Sequence, residues 1–284
     1  GLFDGFEAPS GTGLRDIPDL PRHDRLAREF KALGFFLSGH PVNQYDEPGK
    51  MFSDCKVKDI LASFAAEKGR ETSDVEGDSD DEYSTPVEDV TGKRVFEGQS
   101  IVMLVRFAAI HRTPTKKGDL MAVLTLEDAT GSMDGVCFPD HWKKVSQLTK
   151  DGTPETCYFV AGEVDFSRDS AQVKVYDLIT PEDVMPRLAG YIVLDLANGG
   201  RAEQRERMQK LRETFEQIPG ETKVSVHVDT GKYKVDLLLP SEARINVTND
   251  NFRMLKRELG EDKVHVKSKG YKAQGCLEGL GGSP

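Results

Sequence analysis

A run of acidic residues divides the chain and limits how it can fold. Between Glu67 and Asp89 there are ten acidic and two basic residues, so this stretch holds −8 of the total net charge of −10 and leaves only −2 for the rest. It has few large apolar side chains and its charges repel one another, so it cannot bury enough surface to offset the entropy of ordering. The sequence therefore predicts a disordered linker over 67–92.

Length and composition exclude several protein classes. A chain of 284 residues is long enough for about two domains. No apolar run is long enough for a membrane helix, and the first residues lack a secretory pattern, so a cytoplasmic protein is expected. The missing initiator Met predicts a fragment or a processed chain. The four cysteines form no CxxC pair, which argues against a zinc ribbon or a disulfide scaffold: Cys55, Cys137, Cys157 and Cys276.

Before the linker, apolar residues recur with a helical period. Over Asp24 to Leu37, one helix face carries Leu26, Phe30, Leu33 and Leu37. Asp24 is the predicted N-cap, and the Ser38–Pro41 run is predicted to end the helix. A second short helix is predicted over 56–64, and the segment rich in Pro and Gly before residue 22 is predicted to be extended.

After the linker, the period changes from helical to strand-like. Strands are predicted over 100–111, 120–127, 132–138, 156–164 and 172–179, with a helix over 141–148. Five strands with a helix between the third and fourth is the order of an OB-fold β-barrel. From residue 190 onward, strand and helix patterns alternate, which predicts a small C-terminal α+β domain.

The predicted protein is thus a multi-domain α+β chain with a short N-terminal helical segment, a five-stranded OB-fold β-barrel and a small C-terminal α+β domain. Its parts are an extended tether (1–22), a helical segment (23–66), the acidic linker (67–92), the OB-fold domain (93–185), the α+β domain (186–267) and a flexible tail (268–284).

Two motifs resemble one protein family. The segment 29–41, EFKALGFFLSGHP, is similar to its E-x-x-x-L-G-[FY]-[FY]-x-S-G-H-P signature. The block 115–122, followed by Leu126-Glu127-Asp128 and Phe138-Pro139, is similar to its OB domain in order and spacing. These motifs resemble the C-terminal portion of the alpha subunit of bacterial DNA polymerase III, a replicative DNA polymerase.

The resemblance implies a non-catalytic region of a DNA-directed DNA polymerase, a nucleotidyltransferase. The family's palm domain, whose acidic residues hold metal ions such as Mg²⁺, is not represented, so this chain is expected to need no cofactor and to be inactive alone. Its implied partners are single-stranded DNA, the sliding clamp and the clamp-loader tau subunit, the last bound by the C-terminal domain. GxSxG, HExxH and Walker motifs are absent, which disfavours a hydrolase or metalloenzyme.

Basic residues near the predicted barrel loops are candidates for binding DNA. OB barrels bind single strands across strands two and three and between the first and fourth hairpin loops. The candidate residues are Arg112, Lys116, Lys117, Lys143, Lys144 and Arg168. Charged turns are also normally solvated, and residues 93–180 hold eleven basic against twelve acidic residues, so any binding should be weak and salt-sensitive.

Three aromatic residues and one histidine leave structural alternatives open. Phe107 and Phe138 are predicted to lie in the barrel core, because a small barrel is filled by large side chains. Trp142 fits either the core or a stacking platform for a DNA base, and it joins the candidate DNA-binding residues. His40 is predicted to be buried and hydrogen-bonded, with a structural role.

Leu2 and Phe3 match the last two positions of the family's clamp-binding peptide, Q-x-x-[LM]-F. An exposed Leu-Phe pair on a tether is a suitable anchor, because aromatic and aliphatic side chains concentrate binding energy in a small interface. The alternative is a chain terminus whose apolar pair packs back on the protein.

For the whole chain, the rival interpretation is an OB-fold protein that binds tRNA or another RNA through its barrel and carries an appended interaction domain.

Overall fold

The computed structural model describes residues 20–73, 92–196, 201–229 and 234–271. The N-terminal part holds α1 (Arg22–Leu33), a 3₁₀ helix (Pro41–Tyr45), α2 (Asp46–Phe52) and α3 (Val57–Ser73). The barrel holds β1 (Ser100–Pro114), β2 (Leu120–Asp128), β3 (Gly131–Cys137), α4 (Pro139–Leu148), β4 (Cys157–Asp165) and β5 (Gln172–Ile179). The C-terminal part holds α5 (Val184–Leu188), β6 (Ala189–Asp195), α6 (Arg201–Gln217), β7 (Pro219–Asp229), β8 (Lys234–Leu238), a 3₁₀ helix (Ser241–Ala243), α7 (Asn249–Leu259) and β9 (Val264–Ser268).

The first sheet closes into the predicted five-stranded barrel. Its strand order is β1-β2-β3-β5-β4, with β3 and β5 parallel and the other pairs antiparallel. Alternate residues fill the interior, because successive side chains of a strand point to opposite faces. On β2, for example, Ala122, Leu124 and Leu126 are buried in the barrel core. The helix α4 lies between β3 and β4, which confirms the predicted barrel with its helix.

The second sheet confirms the α+β C-terminal region. Its strand order is β8-β7-β6-β9, and β6 and β7 run parallel, as expected when a helix, here α6, connects them. Apolar residues of α6 and α7, such as Leu211 and Phe252, share one core with residues of β6 and β7. The turn predicted at Thr230-Gly231 lies outside the described residues, but β7 and β8 pair antiparallel as that turn requires.

Two helices differ from the sequence prediction. The first ends at Gly34, which has a φ of 78°, so Leu37 lies beyond it and is exposed rather than on a buried helix face. Glycine adopts this left-handed conformation without steric cost, and that ends the helix. Asp24 lies within the first turn of α1 rather than at its N-cap, which is Pro21. The third helix continues to Ser73, seven residues into the stretch predicted as linker, while residues 74–91 lie outside the described ranges.

The segment 29–41 folds back on itself after α1. The Glu29 carboxylate accepts hydrogen bonds from the backbone N–H groups of Leu37, at 2.9 Å, and of Ser38, at 2.8 Å, and from the Ser38 hydroxyl. Hydrogen bonds from Ser38 hold the pKa of Glu29 below its ordinary value. The folded-back loop brings the rings of Phe30 and Phe36 to 4.9 Å between centroids. This motif therefore forms a local loop that presents aromatic rings to the barrel.

Arg106 on β1 joins this loop to the barrel. Its side chain is almost fully buried, and the guanidinium carbon lies 5.5 Å from the ring centroid of Phe30 and 5.0 Å from that of Phe36. The guanidinium donates to the Glu127 carboxylate of β2 from Nε, at 2.9 Å, and from Nη2, at 2.8 Å. The same carboxylate oxygen lies 3.1 Å from His40 Nε2. We name Arg106, Glu127 and His40, with these two rings, the Arg106 cluster.

The barrel, the N-terminal helices and the second sheet share one hydrophobic core. Val42 and Phe52 of the N-terminal part pack in a single cluster with outward-facing barrel residues such as Leu104 and Phe159, and with Leu188 and other residues of the C-terminal part. An ion pair between Lys256 of α7 and Glu47 of α2 adds a contact across this junction. The 3₁₀ helix and α2 are therefore packed between the two sheets, whereas α3 packs on the barrel.

His40 makes the stability of this arrangement dependent on pH. Burial lowers the pKa of His40, and the positive charge of Arg106 lowers it further. The hydrogen bond with Glu127 raises it, but the net pKa is below the ordinary value. Because the unfolded state then binds a proton more readily than the folded state, the contribution of neutral His40 is present above its ordinary pKa of about 6.5 and is lost as the pH falls below it. The melting temperature should drop between about pH 7.5 and about pH 5.5.

The substitution His40→Gln tests the origin of this pH dependence. The variant should be less stable than the wild type at about pH 7.5, but its melting temperature should fall less on acidification, because the group that titrates is gone. His265→Gln, at an exposed position on β9, is the control and should keep the wild-type slope. Equal pH slopes for His40→Gln and the wild type in thermal unfolding would contradict the assignment.

Candidate nucleic-acid interface

The turn between β1 and β2 presents two lysines to solvent. Thr115 N–H donates to the Asp119 carbonyl at 2.7 Å, and Gly118 N–H donates to the Thr115 carbonyl at 2.9 Å. Gly118 has a φ of 87°, a conformation that other residues adopt only with strain. The strands pair up to Pro114 and Leu120, so the turn is held rigidly at its base, and Lys116 and Lys117 are both exposed.

The outer face of β1 to β3 continues from this turn with mostly neutral side chains. Met121, Val123 and Thr125 alternate with the buried interior residues of β2, and each is only partly covered. Across the sheet, His111 is opposite Val123, and Thr125 is opposite Asp134. The turn lysines are next to the exposed Asp119, and a second exposed carboxylate, that of Asp134, lies farther along the sheet on β3.

Trp142 closes one end of the barrel and is not a surface platform. It lies on the face of α4 that also carries Val145, at i and i+3, and only 4% of it is exposed. The guanidinium carbon of Arg112 lies 5.9 Å from its ring centroid, which places Arg112 over the same end of the barrel. This burial favours the core alternative for Trp142 over the stacking platform.

Phe138 and Phe107 take different positions, although both were predicted in the core. Phe107 is half-buried, packs against the barrel core and stacks on Tyr158 with 5.2 Å between centroids, as predicted. Phe138 is 43% exposed, so its prediction is wrong. Cys137 is the last inward-facing residue of β3, and the strand period of two turns the next side chain outward at the start of α4.

The neighbouring lysines of α4 have different environments. Lys144 Nζ lies 2.8 Å from the buried carboxylate of Asp177, which Arg187 also contacts at 2.5 Å. Lys143 is exposed. Lys144 therefore compensates a buried charge of the barrel wall, whereas Lys143 faces solvent.

Arg168 lies in the loop between β4 and β5, away from the β1–β2 turn. Ser167 N–H and Gln172 Nε2 donate to the Asp165 carboxylate at 3.1 and 2.7 Å, which fixes this loop. Burial raises the pKa of Asp165, but these hydrogen bonds outweigh it and hold the pKa below its ordinary value. Gln172 of β5 pairs with Asp134 of β3. Asp134 precedes Phe138 by four residues, which is about 13 Å along the strand. The structure thus brings together Arg112, Lys143 and Trp142 at one end of the barrel and places Arg168 toward the other.

The clamp-binding residues, metal sites, membrane helices and cysteines remain to be described. Leu2 and Phe3 lie outside the described ranges. Within those ranges, no group of three or more His, Cys, Asp or Glu residues is placed to hold a metal ion. No helix in the described part of the chain is long and apolar enough to cross a membrane. Burial raises the pKa of the Cys55, Cys137 and Cys157 thiols to about 12, which makes them poor nucleophiles.

The chain is similar to alpha subunits of DNA polymerase III. It is 24% identical to that of Bacillus subtilis over 252 residues, covering 89% of this chain and 19% of the relative. It is 27% identical to that of Aquifex aeolicus over 244 residues, covering 83% of this chain and 17% of the relative. The resemblance predicted from the motifs is confirmed, and the chain spans about a fifth of the length of these relatives. No family model matches the chain.

Among solved structures, a mitochondrial single-stranded DNA binding protein from S. cerevisiae matches 30% of this chain and 98% of its own, with 8% identity and a TM-score of 0.24. An asparaginyl-tRNA synthetase from Pyrococcus horikoshii matches 43% of this chain and 31% of its own, with 14% identity and the same TM-score. At these scores neither likeness has weight for the choice between DNA and RNA.

The contrast between the two α4 lysines can be measured. Lys144→Met should lower the free energy of unfolding by about 1 kcal/mol, because the buried Asp177 carboxylate loses one of its two cations, although much of Lys144 is solvated. Lys143→Met, one residue away and exposed, is the matched control and should change it by less than about 0.5 kcal/mol. Equal effects of the two substitutions in urea unfolding would refute the difference in their roles.

Proposed function

We propose that this chain is a non-catalytic region of a DNA polymerase III alpha subunit whose barrel binds single-stranded template DNA. The similarity to alpha subunits over most of the chain supports the first part. The proposed DNA binding rests on the outer face of β1 to β3. Lys116 and Lys117 are exposed at one end of this face, and the exposed ring of Phe138 follows β3. In this proposal, the barrel holds the unpaired template near a polymerase active site located elsewhere in a longer protein of the cytoplasm.

Each part of this surface matches a requirement of an unpaired strand. Phosphates are bound by cations, here Lys116, Lys117 and the exposed Lys143. Bases of a single strand have free faces, which stack on exposed aromatic rings such as that of Phe138. The neutral side chains of Val123 and Thr125, farther along β2 from the turn, leave the sheet surface open to sugar and base contacts. Sequence-tolerant binding is expected, because stacking does not depend on the base.

The binding should be weak and should decrease steeply with salt. Only a few cations lie on the proposed surface, and the carboxylates of Asp119 and Asp134 lie close to it. For single strands, the logarithm of the association constant falls with the logarithm of the salt concentration with a slope of about −0.7 per phosphate contact. Three contacts would therefore give a slope near −2.

Replacement of the two turn lysines tests this surface. In fluorescence anisotropy with labelled oligo-dT at low salt, the double variant Lys116→Glu and Lys117→Glu should bind about tenfold or more weakly, with a shallower salt slope. The matched control is Lys210→Glu with Lys223→Glu, which makes the same charge change at exposed positions of α6 and β7 and should bind as the wild type. Equal weakening by both double variants would show a nonspecific effect of net charge.

The same titration discriminates the RNA-binding rival. If the chain functions in replication, unlabelled single-stranded DNA should displace labelled DNA at least as well as RNA of the same length and sequence. RNA binding that DNA cannot compete away would contradict the proposal and favour the RNA-binding interpretation.

The proposal also includes links to the replication machinery, supported by the resemblance. Leu2 and Phe3 would insert into a pocket of the sliding clamp as the end of a Q-x-x-[LM]-F peptide, and the domain over 186–267 would bind the tau subunit of the clamp loader. Such links matter because they convert a bimolecular return to DNA into an intramolecular step with a high effective concentration.

A peptide substitution tests the clamp contact. A longer protein that includes the residues preceding Gly1 should bind purified sliding clamp in surface plasmon resonance and should lose at least about tenfold in affinity on Phe3→Ala, because the aromatic anchor is removed. Phe6→Ala, three residues later, is the control and should bind as the parent. Equal binding by Phe3→Ala and the parent would contradict the assignment.

A further inference from the structure

The segment that enters β1 exposes an aromatic ring beside a cation. Phe96 is 54% exposed, and the guanidinium carbon of Arg94 lies 5.1 Å from its ring centroid. Val95 is buried in the barrel core, so the chain is anchored between these two outward-facing side chains. Phe96 plays no part in the proposed site around the β1–β2 turn.

The backbone that carries Phe96 is fixed to the rest of the barrel. Phe96 N–H donates to Gln99 Oε1 and Gln99 N–H donates back to the Phe96 carbonyl, both at 3.1 Å, which closes a tight turn at Gly98. Gly98 N–H then donates to the Val164 carbonyl at 2.9 Å, and Val164 N–H donates to the Gln99 carbonyl at 3.0 Å. A ring on so rigid a turn loses little conformational entropy when a ligand stacks on it.

The same turn is held against the β4–β5 loop. The Glu97 carboxylate accepts a hydrogen bond from the backbone N–H of Phe166, whose ring lies 5.4 Å from that of Phe64 on α3. Arg168 follows two residues after Phe166 in this loop and is exposed. The ring of Phe96 and the charge of Arg168 therefore belong to neighbouring loops at one end of the barrel.

The charge around Phe96 suits a polyanion. Lys93, Arg94 and Arg168 are exposed, and none of them has an ion-pair partner among the residues that the structure describes. The nearby carboxylates belong to Asp169, to Glu97, which accepts from the Phe166 N–H, and to Asp165, which is buried and accepts from Ser167 and Gln172. An exposed aromatic ring flanked by cations is the arrangement by which proteins stack the bases of single strands while binding their phosphates.

We propose that Phe96 is a second stacking platform for single-stranded DNA, with Lys93, Arg94 and Arg168 binding the adjacent phosphates. This inference rests on the proposed function and extends it, because one strand would contact the β1–β2 turn and Phe138 at one end of the barrel and Phe96 at the other. Gln172, at the end of the loop that carries Arg168, pairs with Asp134 of β3, and Asp134 is about 13 Å along that strand from Phe138. Such a distance is within the span of the roughly 4 to 16 nucleotides that one OB fold covers.

Affinity measurements with matched phenylalanine variants test the proposal. In anisotropy titrations of the full 284-residue chain with an oligo-dT of about 16 nucleotides, Phe96→Ala should weaken binding about 5- to 150-fold. Phe35→Ala is the matched control, since Phe35 is 56% exposed on the loop after α1, and it should bind as the wild type. Circular dichroism of both variants checks that the fold is kept.

Phe96→Trp gives a direct signal of stacking. Trp142 is the only tryptophan of the chain and is buried, so the wild type should show little fluorescence change on binding. The variant should retain wild-type affinity and show quenching on addition of oligo-dT, because a base stacks on the new indole.

The outcomes separate this inference from the proposed function. If Phe96→Ala binds like Phe35→Ala and Phe96→Trp is not quenched, while Lys116→Glu with Lys117→Glu weakens binding, the second platform is refuted and the proposed function stands. If the wild type does not bind oligo-dT even at low salt, both are refuted. Loss with Phe96→Ala together with quenching of Phe96→Trp establishes the platform.

Discussion

The buried guanidinium of Arg106 is the interaction on which the arrangement of the parts depends. A charge in this position is stable only if its hydrogen bonds are made, and Glu127 and the Pro154 carbonyl supply acceptors. Glu127 also contacts His40, and the rings of Phe30 and Phe36 cover Arg106, so the N-terminal segment shields from water a cation whose hydrogen bonds are made within the barrel. The 3₁₀ helix and α2, which follow His40, pack against the C-terminal part, so one buried charge ties together three regions of the chain.

The filled barrel restricts where this protein can bind a ligand. Large side chains such as Met103 and Leu124 fill its interior, and the buried Trp142 belongs to the same core. On the proposed function, a strand of nucleic acid therefore binds the outer sheet surface and the loops. These are also the regions where glycine turns and short loops allow exposed lysines and phenylalanines at little cost to the barrel, which explains why the proposed contacts lie at its ends.

Sequence periodicity predicted the barrel, its helix and the second sheet, because each depends on alternation or on a helical face that is local in the chain. It could not place Phe138 and Trp142, since their exposure is decided by how α4 begins and which face it turns to the barrel. The same holds for Lys143 and Lys144, which differ only through the position of Asp177 on β5. The motif 29–41 was recognisable, but its contact with Arg106 joins residues far apart in sequence. Phe96 follows the buried Val95, and that alternation was the available signal for its exposure.

The balance of charge explains why a module of this kind would function within a longer chain. Residues 93–180 hold nearly equal numbers of acidic and basic side chains, and the stretch from Glu67 to Asp89 carries −8 close by in sequence. On the proposed function, attraction to phosphates is therefore local to the barrel ends and too weak for tight capture from solution. Covalent attachment to a polymerase removes that requirement, because the template is already present at a high effective concentration. Weak contacts then have an advantage, since a template that must move through the site is held at each position without being trapped.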